Sequence, residues 1–295
     1  MSAPSFIRSF LFAPAANEKL VTSAAARPCD AVILDLEDGT HPSQRDAARA
    51  ALGDSFARLR AAEKTVAVRI NGDLLTAVVD LRAAVRPGLD LLVLPKVEHA
   101  RDIQLLASAV EALEGEAGVE SGHVRFLLQI ESAAALPRLH DIAAAHPRVM
   151  GMMLGSEDFS LDCGCLPMPD ALLVPSLMVL HAARAARIQP IGFVGSIAGL
   201  GSTEDFKVMV ERARALGFRG AVVVHPKFLT AINDCFTPSA EQIADARRIV
   251  QAFDTGYAQG LGAIRVEGIM VDKPVYRRAL DLLAEAGTAP GDVAP

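Results

Sequence analysis

The residues best suited to chemistry stand at the ends of short apolar runs. Asp35-Leu36-Glu37-Asp38-Gly39 closes Ala-Val-Ile-Leu, Arg69-Ile70-Asn71 closes Val-Ala-Val, and Pro95-Lys96 closes Leu-Leu-Val-Leu. Gln129-Ile130-Glu131-Ser132 closes Phe-Leu-Leu, Gly155-Ser156-Glu157-Asp158 follows Met-Met-Leu, and His225-Pro226 follows Val-Val-Val. Carboxylates gathered in one place repel each other and hold on to protons unless a cation sits among them. The simplest such cation is Mg²⁺, which takes one or two carboxylates and leaves positions open for water and substrate. Glu131 and Asp158 are the candidate ligands. In Gln129-Ile130-Glu131 the polar side chains alternate onto one face of an apolar strand, so Glu131 points where a core residue would. Asp158 reads equally well as a ligand or as an acid in the first turn of a helix. Asp35 and Glu37 share a face and Asp38 takes the other; for Asp35 and Asp38, loop capping or a salt bridge is the competing role. Arg69 is suited to clamp a substrate carboxylate with its planar fork, a role compatible with a buried pair to Glu37 or Glu131. Lys96 is either a second substrate contact or a charge balance. His41, His225 and the pair Met152-Met153 read as structural.

Eight apolar, β-branched runs position these groups: Ile7–Phe12, Ala31–Leu36, Thr65–Ile70, Leu91–Pro95, Arg125–Ile130, Val149–Gly155, Pro190–Val194 and Ala221–His225. Between them lie amphipathic stretches such as Asn17–Ala26, Gln44–Leu59, His99–Leu113 and Thr203–Leu216. Strands apolar on both faces belong to a parallel sheet covered by helices. Eight such units specify an α/β fold of the (β/α)₈ type, a TIM barrel, whose strand ends converge on one mouth. The barrel is expected over residues 1–235. Residues 236–295 form an extension: a helix over Ser239–Phe253 with Ser239 as its cap, a two-strand ribbon around Gly268, and a helix over Pro274–Ala286. This extension is expected to pack on the barrel or on a neighbouring subunit, and residues 287–295 to fray.

Composition sets the outer bounds. The chain has 295 residues, 51% of them hydrophobic, which is ample for a large core. Its net charge of −6, with both signs interspersed, argues against a nucleic-acid surface. No apolar run approaches the roughly 18 residues of a membrane span. Phe6 to Pro14 is too short for a signal-peptide core and reads as a first strand. Cys29, Cys163, Cys165 and Cys235 form no disulfide framework, and Cys163-Gly164-Cys165 lacks the spacing of a zinc site. A cytoplasmic protein with reduced thiols is expected.

In order, the chain carries Arg8-Ser-Phe-Leu-Phe-x-Pro14, Asp30-Ala-Val-Ile-Leu-Asp-Leu-Glu-Asp38, Val68-Arg-Ile-Asn71, Leu94-Pro-Lys-Val97, Gln129-Ile-Glu131 and Gly155-Ser-Glu-Asp158. Arg214-Ala-Leu-Gly-Phe218 running on to His225-Pro226, Ala246-Arg-Arg-Ile249 and Asp272-Lys-Pro-Val275 follow. The whole resembles the HpcH/HpaI aldolase/citrate lyase family, and within it the citrate lyase β-subunit-like branch. The resemblance implies a Mg²⁺-dependent carbon–carbon lyase, often trimeric, acting on acyl thioesters such as citryl-, malyl- or citramalyl-CoA. Carried over position by position, Glu131 and Asp158 are metal ligands and Arg69 contacts the substrate carboxylate. Glu37 and Asp38 hold metal-bound water, and Glu37 or a carboxylate of a neighbouring chain is the base. Two loops depart from the family pattern. Pro14-Ala-Ala-Asn17-Glu-Lys19 lacks the usual Gly and Arg, leaving Lys19 and Arg8 as substitute phosphate contacts. Gly195-Ser-Ile-Ala-Gly-Leu-Gly-Ser202 lacks the usual acids. A class II aldolase for a free hydroxy-oxoacid, a malyl-thioesterase and a non-catalytic thioester-binding subunit are the competing functions.

Overall fold

The computed structural model describes residues 6–197 and 202–287. The chain divides into two compact units, Ile7–Asp234 and the chain from Cys235 onward. The first unit alternates strand and helix: β1 (Ser9–Pro14), α1 (Glu18–Ala25), β2 (Ala31–Asp35), α2 (Arg45–Ala61), β3 (Thr65–Arg69), α3 (Leu74–Ala84), β4 (Leu91–Leu94) and α4 (Ala100–Ala117). It continues through β5 (Arg125–Ile130), α5 (Leu139–Ala143), β6 (Val149–Leu154), α6 (Ser156–Cys163), α7 (Pro169–Ala185), β7 (Gln189–Pro190), α8 (Thr203–Leu216) and β8 (Ala221–Val223). A helix α9 (Leu229–Phe236) runs across the boundary.

All eight strands are parallel, in the order β7-β6-β5-β4-β3-β2-β1-β8. Two backbone bonds join the ends of that row: Arg219 N–H donates to the Pro190 carbonyl at 2.9 Å, and Gly192 N–H to that of Gly220 at 2.8 Å. The Gln189 side chain reinforces the closure, donating to the carbonyls of Ile7 and Arg219. The sheet is a (β/α)₈ barrel. Its seventh stave is shorter than the expected Pro190–Val194, for a physical reason. Pro190 offers no N–H to a ladder, and Gly192 and Gly195 adopt φ of 137° and 128°, outside the strand region.

Period-two alternation sorts each strand into an outer row under the helices and an inner row. The inner row packs as one cluster of Phe10, Ala31, Ile33, Ala67, Leu91, Val93, Leu127, Met153 and Ile191. Continuing inward positions towards the C-terminal ends brings Phe12, Asp35, Arg69 and Gln129 above this apolar plug, then Glu37 and Glu131. Arg8 lies at the opposite end of β1, where its guanidinium forks onto Asp30 at 2.7–3.0 Å. That corrects its candidacy as a phosphate contact at the mouth, because the chain direction puts it at the other rim.

The second unit contains α10 (Ala240–Ala258), a hairpin of β9 (Ile264–Val266) and β10 (Ile269–Val271), and α11 (Lys273–Glu285). Ser239 caps α10 in a reciprocal box with Gln242. Ala246 and Val250 of α10 pack on Ala279 and Leu283 of α11, and Phe253 stacks on Tyr276 with centroids 4.6 Å apart. Among the described residues, no helix is long and apolar enough to cross a membrane.

Candidate active site

The mouth is built around one arginine. Arg69, at the end of β3, directs Nε and Nη2 onto the two Asp35 oxygens at 2.7 and 2.6 Å. Asp35 also accepts the N–H groups of Glu37 and Gly39, so both its oxygens are saturated by the turn that follows β2. A Cβ at Gly39 would lie 2.4 Å from Asp35 Oδ2, so only glycine lets this turn close on the carboxylate. Phe12 stacks beneath the guanidinium, 4.7 Å from its carbon. Arg69 is therefore held on three sides, and its acidic neighbours push its pKa further above the ordinary arginine value.

The remaining arm of Arg69 turns to Glu37, with Nη1 3.0 Å from Oε2. Lys96 reaches the other oxygen of Glu37 at 2.8 Å. Glu37 is buried, and burial holds its pKa above the usual carboxylate range against the pull of these two cations. Lys96 occupies a left-handed backbone conformation, φ 53°, unusual outside glycine. In that conformation its backbone N–H donates to Glu131 Oε2 at 2.8 Å while its side chain, half exposed, goes to Glu37. One residue thus ties two acidic groups together.

Glu131 is 3% exposed. Its second oxygen accepts from Gln129 Nε2 at 2.6 Å. Burial first, and then contact with the like-charged Asp158, push its carboxyl up to about 8. Asp158 lies in the first turn of α6, the helix-start position, and faces Glu131. Gly155 makes this approach possible, since a Cβ there would stand 2.5 Å from Glu131 Cγ and 2.7 Å from Oε1.

The sequence-derived residues Glu37, Arg69, Lys96, Glu131 and Asp158 thus form one connected group. Asp38 is exposed and reaches it only through its charge, which raises Glu37 and Lys96. Asp35, which sequence reasoning left as a loop or salt-bridge acid, is the main partner of Arg69. Gln129, Phe12, Gly39 and Gly155 were not singled out as site residues. The signal for the two glycines was their place directly beside acidic strand ends. His41 and His225 each accept a backbone N–H at the start of a short 3₁₀ turn. Of the altered loop after β7, residues 198–201 lie outside the described residues, while Ser196 hydrogen-bonds Glu157.

The donor set can be tested against a metal. Two carboxylates in contact in a buried place are electrostatically unfavourable without a cation or a shared proton. Both offer hard oxygen ligands on adjacent elements, the ligand chemistry of Mg²⁺. Among the described residues no three His, Cys, Asp or Glu side chains are grouped as a closed cage. Two such carboxylates would leave most of an ion's positions to water and substrate.

The chain as a whole is similar to known proteins. The family model for the HpcH/HpaI aldolase/citrate lyase matches residues 8–226. A citrate lyase subunit beta of Escherichia coli is 32% identical, over 95% of this chain and 93% of its own length. An L-malyl-CoA/beta-methylmalyl-CoA lyase of Cereibacter sphaeroides is 31% identical over 95% and 94%. A solved structure of CitE from Mycobacterium tuberculosis in complex with magnesium, acetoacetate and coenzyme A superposes with a TM-score of 0.72 at 31% identity, covering 95% of this chain and 98% of that one. A citrate lyase structure from Burkholderia xenovorans reaches 0.81 at 25% identity, over 97% and 94%. With the family model spanning most of the barrel and relatives matching nearly end to end, this chain belongs to the HpcH/HpaI aldolase/citrate lyase family.

Proposed function

We propose that this chain is a Mg²⁺-dependent carbon–carbon lyase that cleaves a 3-hydroxyacyl thioester bearing a carboxylate, of the citryl-, malyl- or citramalyl-CoA class. The observation that carries the reading is the contact of buried Glu131 with half-buried Asp158 at the barrel mouth, a place where two acids are unfavourable unless they serve a cation. Relatives named for malyl-CoA cleavage, and a relative solved with magnesium and coenzyme A, support the substrate class.

Glu131 and Asp158 would hold the ion, which supplies Lewis acidity towards the substrate's carboxylate and hydroxyl oxygens. Arg69 is fixed by Asp35 and Phe12, so its fork is not free to grip a substrate carboxylate with both arms. What it offers the mouth is the Nη1 edge beside Glu37, a preorganised positive charge where negative charge develops. Lys96, half exposed, provides a second cation for an anionic substrate. Glu37 accepts the hydroxyl proton: a buried carboxylate with a raised pKa is a better base than a solvated one. As that proton leaves, the hydroxyl carbon becomes a carbonyl. The bond to the thioester's α-carbon breaks, and its electron pair goes to that carbon as a thioester enolate, which is then protonated. Asp38 lies at the rim, where it can hold water near the ion.

The decisive experiment incubates the protein with CoA thioesters and free hydroxyacids, with Mg²⁺ or with chelator, and reads products by mass spectrometry. Cleavage of a thioester into a ketoacid and a shorter acyl-CoA, abolished by chelator, is expected. Cleavage of free 4-hydroxy-2-oxoacids alone would identify a class II aldolase instead. Release of intact hydroxyacid and CoA would identify a thioesterase, and no turnover at all a binding subunit. The same reading takes the chain to be a homo-oligomer, a trimer by resemblance. The exposed row Leu74, Leu75, Val78 and Val79 on α3 supports it, and light scattering giving three times 31.1 kDa is the expected result.

A further inference from the structure

We infer that Gln129 is a positioning residue that fixes the Glu131 carboxylate in the orientation a divalent cation requires. This rests on Glu131 being a ligand, as proposed above. Gln129 lies on the inner row of β5, between Leu127 of the apolar plug and Glu131. Only 6% of it is exposed, and its Oε1 is buried without a hydrogen-bond partner in the protein. A residue serving only to fill space would be better as leucine, because the amide leaves a desolvated oxygen that leucine would not have. What the amide gains is on its other side: Nε2 donates to Glu131 Oε1 at 2.6 Å.

The hold is two-handed. The Lys96 backbone N–H takes Oε2 while Gln129 takes Oε1, so neither carboxylate oxygen can rotate away without losing a hydrogen bond. The space for this arrangement comes from Gly155: an added Cβ would lie 2.9 Å from Gln129 Nε2 as well as against Glu131. Three elements, β4's end, β5 and the start of α6, thus converge on the aim of one carboxylate. Groups that orient a metal ligand from behind generally change metal affinity by about 10- to 100-fold when removed.

The test is Mn²⁺ binding followed by electron paramagnetic resonance, with Mn²⁺ as the spin-active substitute for Mg²⁺ and no substrate present. Gln129→Leu keeps the packing volume and removes the amide. It is expected to bind Mn²⁺ about 10- to 100-fold more weakly, with a melting temperature in chelator no lower than that of the unchanged chain. Gln129→Met is the second variant should the leucine misfold. Equal Mn²⁺ affinity in a folded Gln129 variant and in the unchanged chain overturns the inference. Glu131→Gln run alongside separates the two claims. Loss of Mn²⁺ binding there, with none in Gln129→Leu, removes only the positioning role; retained binding in Glu131→Gln removes the ligand assignment and the inference with it.

Discussion

At the scale of single residues, the mouth is a contest between burial and charge, and Glu131 shows its direction. Its carboxyl, pushed to about 8, keeps in the folded chain a proton that the unfolded chain releases near pH 4.3. Folding without metal therefore takes up a proton, and the contribution of this group falls as pH rises from about 4.3 to about 8. In chelator, the unchanged chain is expected to lose more melting temperature between pH 5 and 8 than Glu131→Gln does. Calorimetry across that range checks it, and parallel curves would remove the assignment. Metal binding at Glu131 would expel the same proton, so on the proposed ligand role affinity for Mg²⁺ is expected to rise towards pH 8. On the proposed ligand roles, Glu131→Ala and Asp158→Ala should each abolish turnover while circular dichroism keeps the helical signature. Glu131→Ala also frees the Lys96 N–H and the Gln129 amide, so it should melt lower than Asp158→Ala. Arg69→Lys is a different kind of loss. A lysine cannot span both Asp35 oxygens and Glu37 at once, so a buried pair is broken. Destabilisation of about 3–5 kcal/mol is expected with the loss of activity, measured by urea unfolding. Residue type and place at the strand ends picked out Arg69, Lys96, Glu131 and Asp158 as candidates, the resemblance gave Glu37 its expected role, and the structure brings the five together. Sequence did not show that Asp35 owns the arginine fork, because that depends on register, β2 against β3, which places Asp35 opposite Arg69.

At the scale of elements, the strands announced themselves because a parallel sheet buried on both faces leaves no room for polar residues except at its ends. Ser239 was legible as the cap of α10, and the structure adds Asn17 before α1 and Ser202 before α8, each accepting an N–H of the first turn. The weak points were β7 and β8, where pairing rests on few ladder bonds and on the Gln189 side chain. Nothing in an apolar run predicts that a glutamine amide will finish a barrel. The turns at the strand ends carry a prediction of their own. Gly155→Ala forces a methyl group into Glu131, so the loop between β6 and α6 must shift and carry Asp158 with it. A stability loss of roughly 1–3 kcal/mol is expected from the overpacking, and Mn²⁺ affinity should fall even where the fold survives. A variant with unchanged affinity would show that the two acids do not need this close approach. Ser239→Ala provides the contrast. It removes one cap of α10, costs about 1 kcal/mol, and leaves metal affinity untouched.

At the scale of the whole molecule, the position of the acids on the closed ring of strands has a thermodynamic consequence. Glu131 follows β5 and Asp158 follows β6, neighbours in the sheet, so a cation between them links two staves that the backbone ladder already joins. An ion that binds only the folded chain stabilises it by mass action. At a hundred times its dissociation constant the gain is about 2.7 kcal/mol. With about 2.1 cal/mol/K of unfolding entropy per residue, each kcal/mol moves the melting temperature of a 295-residue chain by about 1.6 °C. Mg²⁺ at that concentration should therefore raise the midpoint by about 4 °C over chelator, as differential scanning calorimetry would show. The ring geometry also says where the gain must vanish. Glu131→Gln and Asp158→Asn should melt at one temperature with and without Mg²⁺, because each leaves a single carboxylate for an ion that gives up its water reluctantly. Ser239→Ala, in the other compact unit, should keep the full shift. A Mg²⁺ shift of equal size in all three variants would mean that the ion acts elsewhere on the chain. The paired acids would then be a proton store instead of a metal site, and the lyase reading would lose its support at the mouth.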